Sequence, residues 1–258
     1  MTAPATLVGL SSGSAPDLDA ARLAALALAL GGSTVDVRAG KGHGWEGSGG
    51  LAVLRGAGAD VCFVGTGVVL GDPAHPVEAC TALPWLEPGL PVKVFAAEGC
   101  TDHQRLELTL AQVAALSART GGSRLVLVET HHGYAPVPEL AELCQRAGTG
   151  ILLDTMGLAR IAPDPVKAAA RLAPWTSHGQ VKGFDWSAPA TSRHQPLASC
   201  SEPTREVLAA AGALRAVTVE TKAPSLGEDT ALLIDWYAAG ARQAPDSDSS
   251  ALIEETLL

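Results

Sequence analysis

The stretch that most restricts the fold runs from residue 124 to 155, where two short apolar runs each end on an acid. Leu125-Val126-Leu127-Val128 leads into Glu129, and Ile151-Leu152-Leu153 leads into Asp154. Runs of this length, rich in Leu and β-branched residues and bounded by Gly and polar residues, read as strands covered on both faces. Residues 137–147 between them read as a helix, which makes the stretch a βαβ unit. Each acid then sits at the C-terminal end of a strand, the edge at which parallel α/β folds build their sites.

The same alternation continues along the chain. Strands are predicted at 5–11, 33–38, 60–65, 91–96, 124–128, 150–153, 176–182 and 214–221. Helices are predicted at 17–30, 49–58, 77–86, 101–120, 137–147, 165–172, 202–211 and 228–241. Eight strands and eight helices over 258 residues match an α/β protein built as a single (β/α)8 TIM barrel. A doubly wound open sheet competes, but the first strand-to-helix turn, residues 11–16, lacks a G-x-G-x-x-G fingerprint, and the chain has no Walker-type loop. The barrel is assigned residues 1–243, and the Asp- and Ser-rich segment 244–258 reads as a loosely held C-terminal tail.

Composition removes several function classes. A net charge of −9 opposes binding to a phosphate backbone, which needs clustered Lys and Arg, so no nucleic-acid partner is expected. Five scattered cysteines with no C-x-x-C pair, and no basic-then-apolar leader, point to a reducing, cytoplasmic setting. The apolar run 23–30 is too short to span a bilayer and follows a helix-start pattern, so no membrane role is expected. A small molecule is the expected partner. Barrels of this kind often pair, which makes a homodimer the assembly to test.

In the barrel reading, Glu129, Asp154, Gln180 and Glu220 stand at or near the C-terminal ends of strands five to eight. Four neighbouring strands would bring four oxygen donors to one mouth. Period-2 alternation puts His131 on the face of Glu129, His178 and Lys182 on that of Gln180, and Lys222 on that of Glu220. Three carboxylates held together repel unless their pKa values rise or a cation joins them. A divalent metal is the simpler answer. An all-oxygen set favours Mn²⁺ or Mg²⁺, with Co²⁺ or Zn²⁺ behind them.

Val-Glu129-Thr-His131, Leu-Leu-Asp154-Thr, Gly-Gln180-Val-Lys182-Gly, Arg193-His-Gln-Pro-Leu and Val-Thr-Val-Glu220 together resemble successive motifs of the xylose isomerase-like barrel superfamily. That grouping includes sugar-phosphate isomerases and epimerases, inosose dehydratase, bacterial 3-dehydroshikimate dehydratase and apurinic endonucleases. The resemblance implies metal ligation by Glu129, Asp154, Gln180 and Glu220, with Glu129 and Glu220 moving a proton on opposite sides of the substrate. Many members carry a His three residues after the strand-six Asp, where this chain has Gly157, and a His on strand seven, where it has Gln180. The endonuclease members use a His-rich trinuclear zinc site that this chain cannot supply.

The expected activity is therefore a metal-dependent isomerisation, epimerisation or dehydration of a small polyhydroxylated or carboxylated carbonyl compound through an enediolate. His131 or Lys182 would assist as acid or base, and Arg38, Arg193 and His194 would contact substrate. Each has a plainer alternative. Glu129, as a strand-end acid, could cap the next helix, Gln180 could be a satisfied core amide, and Asp36 and Arg38 could pair with each other. His132 reads as structural, His178 as a core histidine, and Cys200 lacks a His partner in sequence. Lys41, His43 and Trp45 occupy a loop long enough to form a lid. The alternative function is a barrel relative that binds a small molecule without turning it over.

Overall fold

Strands that are apolar on both faces need cover on both, and a closed barrel ringed by helices supplies it. The computed structural model describes residues 5–47 and 49–243. In it, eight parallel strands close a barrel in sequence order, β1 pairing with both β2 and β8. They are β1 (Leu7–Ser11), β2 (Thr34–Arg38), β3 (Asp60–Leu70), β4 (Val92–Ala96), β5 (Val126–Glu129), β6 (Gly150–Asp154), β7 (Thr176–Val181) and β8 (Ala216–Val219). Around them lie α1 (Ala20–Ala29), α2 (Gly50–Gly56), α3 (Val77–Thr81), α4 (Leu106–Thr120), α5 (Val137–Ala147), α6 (Thr155–Ile161), α7 (Pro165–Leu172), α8 (Ser201–Ala210) and α9 (Leu226–Gln243). The segment read as a tail, 244–258, lies outside the described residues.

The helix ends follow their capping chemistry. Asp19 accepts from the Arg22 N–H at 2.8 Å to start α1, and Asp164 accepts from the Lys167 N–H at 3.0 Å to start α7, with Pro165 at its first turn. Gly148 closes α5 in the left-handed region, at φ 69°.

Four elements depart most from the sequence reading, one of them α4, which starts at Leu106 rather than 101 because residues 101–105 form turns. β3 continues past residue 65 to Leu70 because a register shift against β4 between Gly65 and Val69 absorbs the Gly65-Thr66-Gly67 segment as a bulge. α3 stops at Thr81, short of Pro84, whose ring would remove a helical donor and clash with the preceding turn. α6 was not foreseen. It begins directly after Asp154, whose side chain accepts the Gly157 N–H at 2.7 Å.

Inside the barrel the strands stack two layers. Phe63, Leu127, Leu152, Ala216 and Cys62 fill the base with Leu7 against them, and His178 meets the Phe63 ring edge-on with centroids 5.9 Å apart. Two residues further along β5, β6 and β7 on the same faces come Glu129, Asp154 and Gln180, and Glu220 follows β8. The outer faces pack against the helices through a large cluster that includes Val94, Val128, Leu140, Leu153, Leu172 and Val217. No helix among the described residues is long and apolar enough to cross a membrane, and all five cysteines are buried and unpaired.

Candidate active site

A buried carboxylate must be neutralised or lose its charge, and the mouth of this barrel neutralises each of its acids with a basic side chain. Glu129 Oε2 lies 2.6 Å from Lys93 Nζ. The Lys182 ammonium contacts Asp154 Oδ2, lies 2.7 Å from Glu220 Oε2 and donates to Gln180 Oε1 at 3.3 Å. Arg38 pairs with Glu220 Oε1. The side chains of Lys182 and Lys93 are 9% and 10% exposed, so the contacts of these two lysines are shielded from solvent.

Electrostatics follow from that pairing. Burial alone would raise the Glu129 carboxyl, but the charges of Lys93 and Lys182 outweigh it and hold it below the usual range. Burial likewise opposes ionisation of Glu220, yet Lys182 and Arg38 bring it down to about 2. Lys93 is pushed down by burial and partly restored by Glu129. Beneath them Asp36 accepts from Ser11 Oγ at 2.7 Å, Thr218 Oγ1 at 2.5 Å and Gln180 Nε2 at 3.2 Å. Complete burial still raises it to about 6.

The four expected oxygen donors thus converge, but with most of their oxygens already engaged. Asp154 Oδ1 caps α6, and Asp154 Oδ2, Gln180 Oε1 and Glu220 Oε2 face one ammonium. Glu220 Oε1 and Glu129 Oε2 face Arg38 and Lys93. Among the described residues no group of three or more His, Cys, Asp or Glu side chains is arranged to hold a metal ion. The expected Mn²⁺ or Mg²⁺ site, with its Co²⁺ or Zn²⁺ alternatives, does not fit this donor set. Lys182, Lys93 and Arg38 stand among the acids and supply the positive charge they need.

Two histidines at the mouth hold complementary tautomers. His131 Nδ1 lies 2.7 Å from the His132 carbonyl oxygen, which can only accept, so Nδ1 carries the proton and Nε2 is left as an acceptor. His194 Nδ1 accepts from the Lys222 N–H at 3.0 Å, so its proton sits on Nε2. Burial lowers both pKa values, with Lys182 adding to the effect and a carboxylate opposing it in each case, Glu129 beside His131 and Glu220 beside His194. Both rings are neutral at pH 7. His131 is also set by Phe95 and Tyr134, whose rings stack 4.4 Å apart and meet it edge-on.

A cavity of about 160 Å³ opens here, lined among others by Arg38, Glu129, His131, Lys182, His194 and Glu220. Arg160 and Lys222 also line it, and sequence reasoning had assigned neither to substrate. Arg193, expected there, is exposed and does not line it. Its neighbour His194 is carried in by the Gly183 to Gln195 bridge that folds the loop back. Two larger hollows, near 610 Å³ beside α5 and 730 Å³ at the N-terminal end of the barrel, gather no comparable set of buried charges.

Other expectations resolve differently. Gly157 has no space for a side chain, since a Cβ there would stand 1.9 Å from the Thr130 carbonyl oxygen. The loop of Lys41, His43 and Trp45 is held to its own residues and to β2. The Glu46 carboxylate accepts N–H bonds from Gly40, Lys41 and His43, and buried Trp45 donates to the Arg38 carbonyl at 2.9 Å. Lys93 was missed, although a Lys inside Val92-Lys93-Val94-Phe95 at an inward position of an apolar strand is a readable signal.

No protein-family model matches the chain, and no curated protein matches it in sequence. Solved structures do match it in fold. A structure of L-ribulose 3-epimerase aligns with TM-score 0.65 at 14% identity, over 92% of this chain and 96% of the other. The probable 3-DHS dehydratase AsbF, involved in petrobactin synthesis in Bacillus anthracis, aligns with TM-score 0.66 at 17% identity, over 89% and 98%. The IolI protein with a binding zinc atom aligns with TM-score 0.55 at 12% identity, over 92% and 96%.

Proposed function

On a chain that has the fold of the xylose isomerase-like barrels, we propose an enzyme that moves a proton at the carbon beside a carbonyl of a small, anionic, polyhydroxylated compound. The outcome is isomerisation, epimerisation or dehydration. One observation carries the reading: fixed cations and two neutral histidines of opposite tautomer share the barrel mouth. An enediolate needs a base for the carbon-bound proton and positive charge for the oxygen that gains the electron pair.

His131 Nε2 is the better-matched base. A carboxylate held at about 2, as Glu220 is, is a weak one at neutral pH. We therefore assign Glu129 and Glu220 to fixing Lys93, Lys182 and Arg38, and the proton removal to His131. The electron pair released moves to the carbonyl oxygen, which Lys182 and Arg38 stabilise. His194 Nε2–H then protonates one of three positions and recovers its proton from solvent. Protonating the same carbon from the opposite face completes epimerisation; protonating the former carbonyl carbon, as the adjacent hydroxyl gives up its proton to become the new carbonyl, completes isomerisation; protonating a departing hydroxyl completes dehydration.

The anionic class follows from charge. Although the chain carries −9 overall, the cavity is lined by Arg38, Arg160, Lys182 and Lys222 against Glu129, Asp154 and Glu220. The surplus is positive and suits a carboxylate or phosphate.

Proton NMR in D₂O tests this with ketoses, ketose phosphates and dehydroshikimate-like acids. We expect loss of the signal beside the carbonyl for an anionic compound, and a fall of about 10²–10⁴-fold in His131→Asn. Binding without exchange for every compound would replace the enzyme with a small-molecule binding protein, a reading that the full pairing of the acids also favours.

A further inference from the structure

One solved structure similar to this chain in fold holds zinc, and here Glu129, Asp154, Gln180 and Glu220 stand at or just beyond the ends of β5 to β8. We propose that the Lys182 ammonium is the resident cation of the site and stands in place of a divalent metal. The inference concerns what occupies the donor set, and it holds or fails whether or not the mouth turns over a substrate.

Three observations carry it. Lys182 reaches donors presented by three successive strands, Asp154 from β6, Gln180 from β7 and Glu220 just beyond β8. A single side chain in contact with all three is where a shared cation has to be. Next, the Glu220 Oε2 atom beside it is buried and takes no well-directed hydrogen bond, although Lys182 Nζ is 2.7 Å away. The ammonium acts on that oxygen as a point charge, which is how a metal ion would act. Finally, Lys93 holds Glu129 Oε2 and Arg38 holds Glu220 Oε1. Three carboxylates meet three cations, so a divalent ion entering this arrangement would bring an excess of positive charge into a site already neutral.

The neighbouring backbone leaves room for the paired side chains. A Cβ on Gly65 would come 3.2 Å from Lys93 Cε, and one on Gly13 would come 2.5 Å from Glu220 Oε1 and 3.1 Å from Arg38 Nε. Residues without side chains at these positions accommodate Lys93 and the Arg38–Glu220 pair.

The test is metal titration of the full chain with MnCl₂, CoCl₂ and ZnCl₂ in turn, read by calorimetry and by elemental analysis after dialysis. The wild type should retain no stoichiometric metal, and EDTA should leave its thermal midpoint unchanged. Lys182→Ala should bind about one ion per chain at least ~100-fold more tightly than the wild type, because a positive charge inside the donor set has been removed. The gain should vanish when Asp154→Ala is added. A Lys182→Gln variant, which keeps most of the side-chain volume, serves the same purpose if the alanine variant does not fold. One ion per wild-type chain, lost in Glu129→Ala and Glu220→Ala, would overturn the proposal. So would folded Lys182 variants that bind metal no better than the wild type.

Discussion

The base and the mouth of this barrel interior are made by the same strands on the same faces, two residues apart, and they solve burial in opposite ways. At the base, Leu127 and Leu152 are fully buried and pack with Phe63 and Ala216, so removal from water is itself the stabilising term. One step along, Glu129 and Asp154 are 3% and 1% exposed, and each needs a partner to survive the same loss of water. The apolar side chains of the base contribute stability without needing partners. The mouth spends stability on a fixed pattern of charge, and that division of labour is what a barrel enzyme requires.

The largest expected effect comes from breaking one mouth pair. Glu129→Ala leaves the Lys93 ammonium buried beside the Phe95 ring, 3.7 Å from its centroid, with no carboxylate. We expect a loss of about 3–5 kcal/mol in urea unfolding. Adding Lys93→Met to Glu129→Leu should recover most of it, since an apolar pair needs no compensation. Equal destabilisation in the single and the paired variant would mean that the ion pair is not what the mouth is organised around.

At the base, Leu152→Ala should cost about 2–5 kcal/mol through lost contacts and the cavity left among Phe63, Leu127 and Ala216. The same variant should leave binding of an anionic ligand at the mouth within about twofold at temperatures where it is folded, because the layer above rests on its own strand register. A large loss of binding would show that the two layers are not separable.

The legibility of the sequence divides along this same line. The strand order and barrel closure were readable because apolar runs bounded by Gly repeat eight times, and α5 and α7 matched their predicted bounds. Glu129, Asp154, Gln180 and Glu220 were readable because strand ends and alternation define a mouth. Their partners were not. A lysine looks like surface charge until a fold buries it, which hid Lys93 and left Lys182 with an auxiliary role. α6 was also hidden, because Asp154 was read for chemistry alone although Asp is a strong helix N-cap. The contribution of Arg160 and Lys222 depends on how the loops after β6 and β8 turn back, which no local pattern encodes.

The smallest effect is a matter of sign. His178, at the base, is held at about 4 by burial, aided by the charge of Arg215, against an ordinary value of 6.5. The unfolded chain therefore binds more protons than the folded one between those values, so this group costs stability as pH falls from 6.5. Asp36, under the mouth, is raised by burial from 3.8 to about 6. The folded chain binds the extra proton there, so this group costs stability as pH rises toward 6. The two oppose each other between pH 4.5 and 6, and each replacement removes one contribution from the wild-type slope. Relative to the wild type, His178→Leu should lose about 2 kcal/mol as pH rises across that window, and Asp36→Asn should lose about 2 kcal/mol as pH falls across it. Urea unfolding of all three proteins at half-unit pH steps reads both differences. Differences of the same sign in the two variants would show that the base and the mouth do not bury their ionisable groups in opposite senses.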